Sequence, residues 1–177
     1  KGRYNQTSYA DIGIKSNGKV TTIKAAPGEM VIFDGRINVA EAVDTASWKK
    51  IDKYTWMTKS KNKRIDGLWV NNKFYPRVKE RVKLKEGFWF FDKKTLKVEI
   101  AFEKGIEPFH AKLEFRYEGM ITFDTPYWVI ENISANYYNQ YGVGIWKTHD
   151  VIVRNCNAHH NGGSGIYSDN ATNLEID

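Results

Sequence analysis

The chain has 177 residues, and its 27 Lys and Arg against 21 Asp and Glu give a net charge of +6. Its single cysteine, Cys156, excludes an intramolecular disulfide framework, and no apolar run reaches the ~20 residues a membrane-spanning helix needs. The basic excess is local: residues 48–116 hold 19 basic and 9 acidic side chains (net +10), and the rest hold 8 and 12 (net −4). Such a field can attract an acidic glycan, nucleic acid or an anionic surface, but no recognised nucleic-acid motif accompanies it, so nucleic acid is not expected as a partner.

In chain order, Lys1–Tyr9 reads as the middle of an opening coil, and residues 1–40 as the first coils of a solenoid. Residues 41–118 change character. They are rich in Lys and aromatics, with short alternating strands at Leu68–Val70, Phe88–Phe91, Val98–Phe102 and Leu113–Phe115. Asn71-Asn72 and Asp92-Lys93-Lys94 supply turns, and Pro108 marks a break. This stretch is expected to be a small antiparallel β-sandwich-like insertion.

Residues 119–177 carry a repeat of about twenty-three residues. Val129-Ile130-Glu131-Asn132-Ile133 recurs as Ile152-Val153-Arg154-Asn155-Cys156. Trp128, Val151 and Leu174 step by twenty-three, as do Ile130, Val153 and Ile176. A second pattern steps by twenty-one, with Gly144-Ile145-Trp146 answered by Gly165-Ile166-Tyr167. A period of this size with short β-type runs and Asn/Gly turns predicts a solenoid. The unit is too short for a strand plus a full helix, so two or three short strands per coil are expected. Alternation places the two apolar rows inside, with Ile145 and Ile166 on another wall. Asn132 and Asn155 are expected to point inward as a stacked amide pair. Glu131, Arg154 and Asp177 form an outward charge column, and Cys156 takes a buried apolar role in the place of Ile133.

Together, Ile23-Lys24-Ala25-Ala26-Pro27-Gly28-Glu29, Ile32-Phe33-Asp34-Gly35 and the run from Val151 to Asn170 resemble the pectate-lyase-like superfamily. The fold this implies is all-β, a right-handed parallel β-helix. The inserted stretch resembles the module interrupting the β-helix of xylosidase-like and fucosidase-like glycoside hydrolases. That resemblance implies a secreted, carbohydrate-active protein acting on a polysaccharide or oligosaccharide. In the superfamily the glycan groove lies over the parallel sheet that here contains Trp146 and Tyr167.

Ile145 and Ile166 face inward on this reading, so Trp146 and Tyr167 face outward one coil apart. Coils are spaced by roughly 4.8 Å, close to the length of a sugar residue, and flat aromatic faces suit sugar C–H surfaces. The adjoining turn His159-His160-Asn161-Gly162-Gly163 offers His160 and Asn161 as glycan hydrogen-bond partners. His159 and His160, adjacent on an extended strand, are expected to point to opposite sides. No metal is expected: histidine spacing lacks a ligand pattern, and Asp150, Asp169 and Asp177 are too scattered for Ca²⁺. No cofactor is implied.

Glycoside hydrolysis needs two carboxylates flanking the bond. Asp169 is the candidate, and with a step of twenty-one it aligns with Thr148, leaving no acid stacked beneath it. Lyase chemistry needs a basic residue instead, for which Lys147 is the candidate. Three functions therefore stand: a polysaccharide hydrolase, a non-enzymatic adhesion or assembly module, and a polysaccharide lyase. The chain is expected to be the N-terminal portion of a longer protein, able to self-associate through open solenoid ends.

Overall fold

The computed structural model describes residues 2–5, 12–14, 18–61, 63–117 and 121–177. Its regular elements are almost all strands, with one short α-helix and two 3-10 turns among the described residues. Two compact units are present, Lys1–Arg36 with Glu118–Asp177 and Ile37–Tyr117. The sequence places the boundaries at 40/41 and 118/119. Lys1 and residues 6–9 of the expected opening coil lie outside the described residues.

The chain begins with β1 (Gly2–Asn5), β2 (Ile12–Ile14), β3 (Thr21–Lys24) and β4 (Val31–Asp34). The inserted unit follows. It comprises β5 (Arg36–Asn38), α1 (Val39–Ala42), β6 (Lys49–Lys50), β7 (Thr55–Lys59), β8 (Ile65–Val70), β9 (Lys73–Tyr75), β10 (Arg77–Val78), β11 (Phe88–Asp92), β12 (Lys97–Ala101) and β13 (Leu113–Tyr117). The chain then runs through β14 (Ile121–Phe123), β15 (Trp128–Glu131), β16 (Ile133–Asn136), β17 (Val143–Trp146), β18 (His149–Arg154), β19 (Ile166–Asp169) and β20 (Thr172–Ile176).

Outside the insertion, every described strand pair is parallel, and the strands stack into three walls. The first wall is β2-β14-β17-β19, the second β3-β15-β18-β20, and the third β1-β4-β16. One circuit visits the three walls in turn, which makes this unit a parallel β-helix. The insertion departs after β4 on the third wall and returns at β14 on the first. Trp128, Val151 and Leu174 stack as register partners, as do Ile130, Val153 and Ile176. Trp128, Ile130, Val151 and Val153 form one buried core with Ile121, Phe123, Ile133, Val143 and Ile145, and Leu174 packs against it, whereas Ile176, expected inside, is 53 % exposed. The half-buried Cys156 also packs against that core. Outside, Arg154 Nη2 meets Glu131 Oε2 at 3.3 Å.

What sets the register is a series of left-handed corners. Tyr127, Asp150 and Asn173 have φ of 67°, 55° and 49°, and Asn132 and Asn155 have 56° and 51°. Tyr137 and His160 (62°, 57°) and Lys147 and Asn170 (45°, 53°) repeat the arrangement. Members of each set are twenty-three residues apart. Tyr127, Asn132, Tyr137, Lys147 and Asn155 each donate the backbone N–H to a carbonyl one coil on, namely those of His149, Arg154, His159, Asp169 and Asp177. The corners are thus linked from coil to coil by backbone hydrogen bonds. Asn132 and Asn155 are exposed, not inward. Their role is conformational, because Asn enters the left-handed region more readily than other non-glycine residues.

The step of twenty-one is also corrected. Val143 pairs with Ile166, Gly144 with Tyr167, Ile145 with Ser168 and Trp146 with Asp169, all at twenty-three. A step of twenty-one would pull the corners at 147 and 170 out of line. The Gly-Ile-aromatic likeness is therefore a coincidence of sequence that the backbone does not follow.

At the end of β4, Asp34 is 2 % exposed. Arg36 grips it, with Nε 3.1 Å from Oδ1 and Nη2 2.9 Å from Oδ2. A side chain on Gly35 would place Cβ 2.6 Å from the Tyr137 carbonyl oxygen, so glycine is required by close approach. The neighbouring Tyr138 is buried, and its phenol is held well above its ordinary range by burial and then by the charge of Asp34.

The inserted unit consists of a five-stranded sheet, β10-β11-β12-β7-β6, and a four-stranded sheet, β5-β13-β8-β9. β11–β12, β12–β7, β7–β6, β13–β8 and β8–β9 pair antiparallel, and β10–β11 pairs parallel. Leu68, Tyr75 and Phe115 from one sheet and Trp89, Val98 and Ile100 from the other share one core. Asn71 (φ 49°) and Asn72 (φ 67°) turn β8 into β9, the two positive φ values that a tight two-residue hairpin requires.

Candidate functional site on the first wall

Ile121, Phe123, Val143 and Ile145 point into the core, each at most 1 % exposed. Alternation therefore turns Thr122, Gly144, Trp146, Tyr167 and Asp169 outward. Tyr167 stands opposite Gly144, which has no side chain, and the Tyr167 ring stacks flat on Tyr141 (centroids 4.2 Å, planes 9° apart). Trp146 closes the group, 4.9 Å from Tyr167 and 6.2 Å from Tyr141. All three rings are partly exposed. Trp146 and Tyr167 thus share one face as expected, but as diagonal neighbours joined through Tyr141, which the sequence reading did not single out.

The turn before β17 positions Tyr141. A Cβ on Gly142 would lie 2.6 Å from Asn161 Nδ2 and 2.7 Å from the Ala135 carbonyl oxygen. Asn161 fills that space: its Oδ1 accepts from the Tyr138 N–H at 2.8 Å, and its Nδ2 donates to Ala135 O at 3.0 Å. Its amide fastens two turns together. The sequence reading offers Asn161 to sugar; in the structure its amide oxygen and one amide N–H bond the protein's own backbone.

Asp169 lies beside the aromatic group, opposite Trp146, and its Oδ1 accepts from Asn170 Nδ2 at 3.1 Å. The alignment with Thr148 is not found. Ile121 pairs with Val143 and Phe123 with Ile145; continuing that register one residue past the end of β14 would put the exposed Asp124 in line with Trp146, two coils from Asp169. Two coil spacings amount to roughly 9.6 Å. Asp124 escaped the sequence reading because the first-wall step here is twenty-two, while the second wall steps by twenty-three. Lys147 is exposed at a left-handed corner, and its N–H donates to the Asp169 carbonyl at 2.8 Å.

His160 occupies the third-wall corner, where it stacks on Tyr137 (5.1 Å, 24°). Its Nδ1 is 2.6 Å from His159 Nδ1, so the two imidazoles share a hydrogen bond. The expectation that they diverge fails because the left-handed conformation at His160 breaks the extended alternation. The Arg36 guanidinium lies 3.8 Å from the centre of the Tyr137 ring.

On the second wall a depression of about 460 Å³ is lined by Tyr127, Val129, Ile152, Asp150, Asn173 and Glu175, among others. Asp150 is fixed at its rim by His149 Nδ1 (2.7 Å) and Asn173 Nδ2 (2.9 Å). The bond to His149, then that to Asn173, hold its carboxyl below the usual range. No group of three or more His, Cys, Asp or Glu able to hold a metal occurs among the described residues. Nor is any described helix long and apolar enough to cross a membrane.

A family model described as a right-handed β-helix region matches residues 104–177. Together with the three parallel walls, this defines the architecture as a right-handed parallel β-helix. A solved structure described as "The complex structure of XylC with xylose" is similar over 88% of this chain, with 12% identity and a TM-score of 0.46. The chain spans 44% of that solved chain. No curated protein matches it in sequence.

Proposed function

We propose that this chain is part of a secreted, carbohydrate-active β-helix protein that binds a polysaccharide on the outer face of its first wall and hydrolyses it there. The supporting observation is the outward group of Tyr141, Trp146 and Tyr167 beside the carboxylate column of Asp124 and Asp169. Aromatic rings offer flat apolar faces to the C–H surface of a sugar and keep polar edges in water. A polymeric glycan cannot cross a membrane, so an extracellular location follows from the substrate class. His160 and Lys147, exposed at neighbouring corners, are available to sugar hydroxyls.

Hydrolysis rests on the pair of acids. A spacing of roughly 9.6 Å between their coils is far beyond the ~5–5.5 Å of retaining pairs and borders the ~6.5–9.5 Å of inverting ones, so inversion is the stereochemical outcome proposed. A second reading, binding without cleavage, is favoured by the exposure of Asp124. A general acid is ordinarily kept protonated by burial.

The deciding experiment digests a polysaccharide panel with this chain and its longest available parent, with products read by mass spectrometry. Products carrying one added water support hydrolysis, and unsaturated ends would replace it by elimination. Retained binding with no cleavage by either protein would leave the binding module.

A further inference from the structure

We infer that the depression on the second wall is a further subsite for the same polysaccharide, taking an uncharged sugar residue of a chain that has passed round the corner from the first wall. This rests on the reading of the first wall as a glycan-binding face, and it adds where the bound chain goes next and which sugars it carries.

Only Lys147, Thr148 and His149 separate Trp146 from Asp150. Four Cα steps of ~3.8 Å keep those two residues within ~15 Å of each other, about three sugar residues. The same two coils carry both places. One runs from Trp146 to Asp150 and Ile152, and the next from Tyr167 and Asp169 to Asn173 and Glu175. At the corner between the walls, Lys147 and Asn170 are exposed.

The depression suits a sugar ring. Trp128 and Ile130 flank Val129, and Val151 and Val153 flank Ile152; all four flanking side chains are at most 2 % exposed. Alternation therefore turns Val129 and Ile152 outward. The two are register partners, and a strand spacing of roughly 4.8 Å makes them an aliphatic floor about one sugar ring long. Val20, 71 % exposed, and the half-buried Tyr127 extend the apolar lining. Polar groups border this floor. Asp150 Oδ1 accepts from Asn173 Nδ2 at 2.9 Å, and Oδ2 is 2.7 Å from His149 Nδ1. An ionised carboxylate has about four acceptor positions, so this fixed group keeps one on each oxygen for sugar hydroxyls. Glu175, exposed and paired in register with Ile152, adds a second carboxylate. Hydroxyl-to-carboxylate bonds are short and charge-assisted. A cavity of about 460 Å³ with an apolar floor and a few placed polar groups has the usual make-up of a small-ligand site.

Charge selects the sugar. Asp150 and Glu175 line the depression, and no Lys or Arg is among the described residues lining it. A uronate or a phosphorylated sugar is therefore repelled. An ammonium group seeks a free counter-charge, but both oxygens of Asp150 are already engaged by His149 and Asn173. Hydroxyls need only the remaining lone pairs, so an uncharged residue fits best.

The test is affinity electrophoresis of the whole chain with arabinoxylan, glucomannan and xyloglucan, and NMR titration with disaccharides cut from them. Polygalacturonate and chitosan serve as the acidic and cationic comparisons. Expected is that Ile152→Asp weakens binding of a neutral polymer at least threefold and leaves its disaccharide unchanged, because the short ligand stays on the first wall. Trp146→Ala should weaken both. Glu175→Ala, which changes an exposed side chain, gives the same reading should the melting curve of Ile152→Asp show misfolding. Polymer affinity unaltered in both second-wall variants, but lowered in Trp146→Ala, overturns the subsite and leaves the first wall standing. Polymer affinity that Trp146→Ala does not alter, or no neutral polymer bound at all, removes the first-wall reading and the subsite with it. Tighter binding of polygalacturonate or chitosan than of any neutral polymer overturns the choice of sugar.

Discussion

Trp146 and Asp169 are register partners, a ring and a carboxylate set side by side on adjacent coils of the first wall. On the function proposed above, the relationship divides binding from chemistry within one column. Trp146 supplies a surface and Asp169 a charge, and each can be removed without touching the core behind Ile145.

Trp146→Ala is therefore expected to weaken oligosaccharide binding about fivefold, in keeping with the ~1 kcal/mol that an aromatic contact adds beyond area. The melting temperature should barely move, because the ring lies outside the buried core. Asp169→Asn should keep the affinity and abolish cleavage by the parent protein. Titration calorimetry on both variants checks the separation, and an Asp169→Asn protein that still cleaves would remove this residue from the chemistry.

The sequence was informative wherever burial fixed it. Trp128, Val151 and Leu174 could be aligned by eye because a one-residue slip would turn the apolar row toward water. On the first wall the same logic misleads, since Ile145 and Ile166 are both apolar and both inward, and alternation cannot tell which pairs with which. The corners decide, and they leave only a faint trace: Asn at 132, 155, 170 and 173, but Tyr, His, Lys and Asp at the other left-handed positions. Asp124 was hidden by a coil one residue shorter at its first corner, and Tyr141 because it sits in a turn that no strand pattern covers.

Those corners make a measurable claim of their own. Replacing Asn155 by Ala should cost about 1 kcal/mol, because Cβ crowds the carbonyl in the left-handed region without an amide to compensate. Asn155→Gly should be nearly neutral, since glycine enters that region freely. Urea denaturation distinguishes the two substitutions. Equal losses would mean that the amide, and not the backbone conformation, is what the position needs.

The Asp34–Arg36 pair sits where the chain leaves the third wall, with both side chains largely shielded. Removing one partner leaves an uncompensated buried charge, so Arg36→Met is expected to destabilise the fold by about 3–5 kcal/mol. Asp34→Leu/Arg36→Met together should recover much of that loss, as paired apolar replacements of buried ions commonly do. A double variant no more stable than Arg36→Met, measured by the same urea titration, would show that the pair acts through geometry and not through charge.

The last relationship concerns pH. Asp150 accepts from His149 and Asn173, and its carboxyl is held below the ordinary value near 3.8. A carboxylate whose folded pKa is depressed stabilises the native state above its unfolded pKa, and that contribution disappears as pH falls through the folded value. Asp150→Asn keeps a residue suited to the left-handed corner and removes the charge. It should therefore melt below the wild type at pH 7, and the gap should shrink as the pH drops below about 4. The group is exposed, so the gap will be small and will narrow further in salt. Melting temperatures of the two proteins between pH 7 and pH 2.5 test this directly. A gap that stays constant across the range would mean that the ionised carboxylate contributes nothing, and that the ladder of Tyr127, Asp150 and Asn173 is held by its backbone bonds alone.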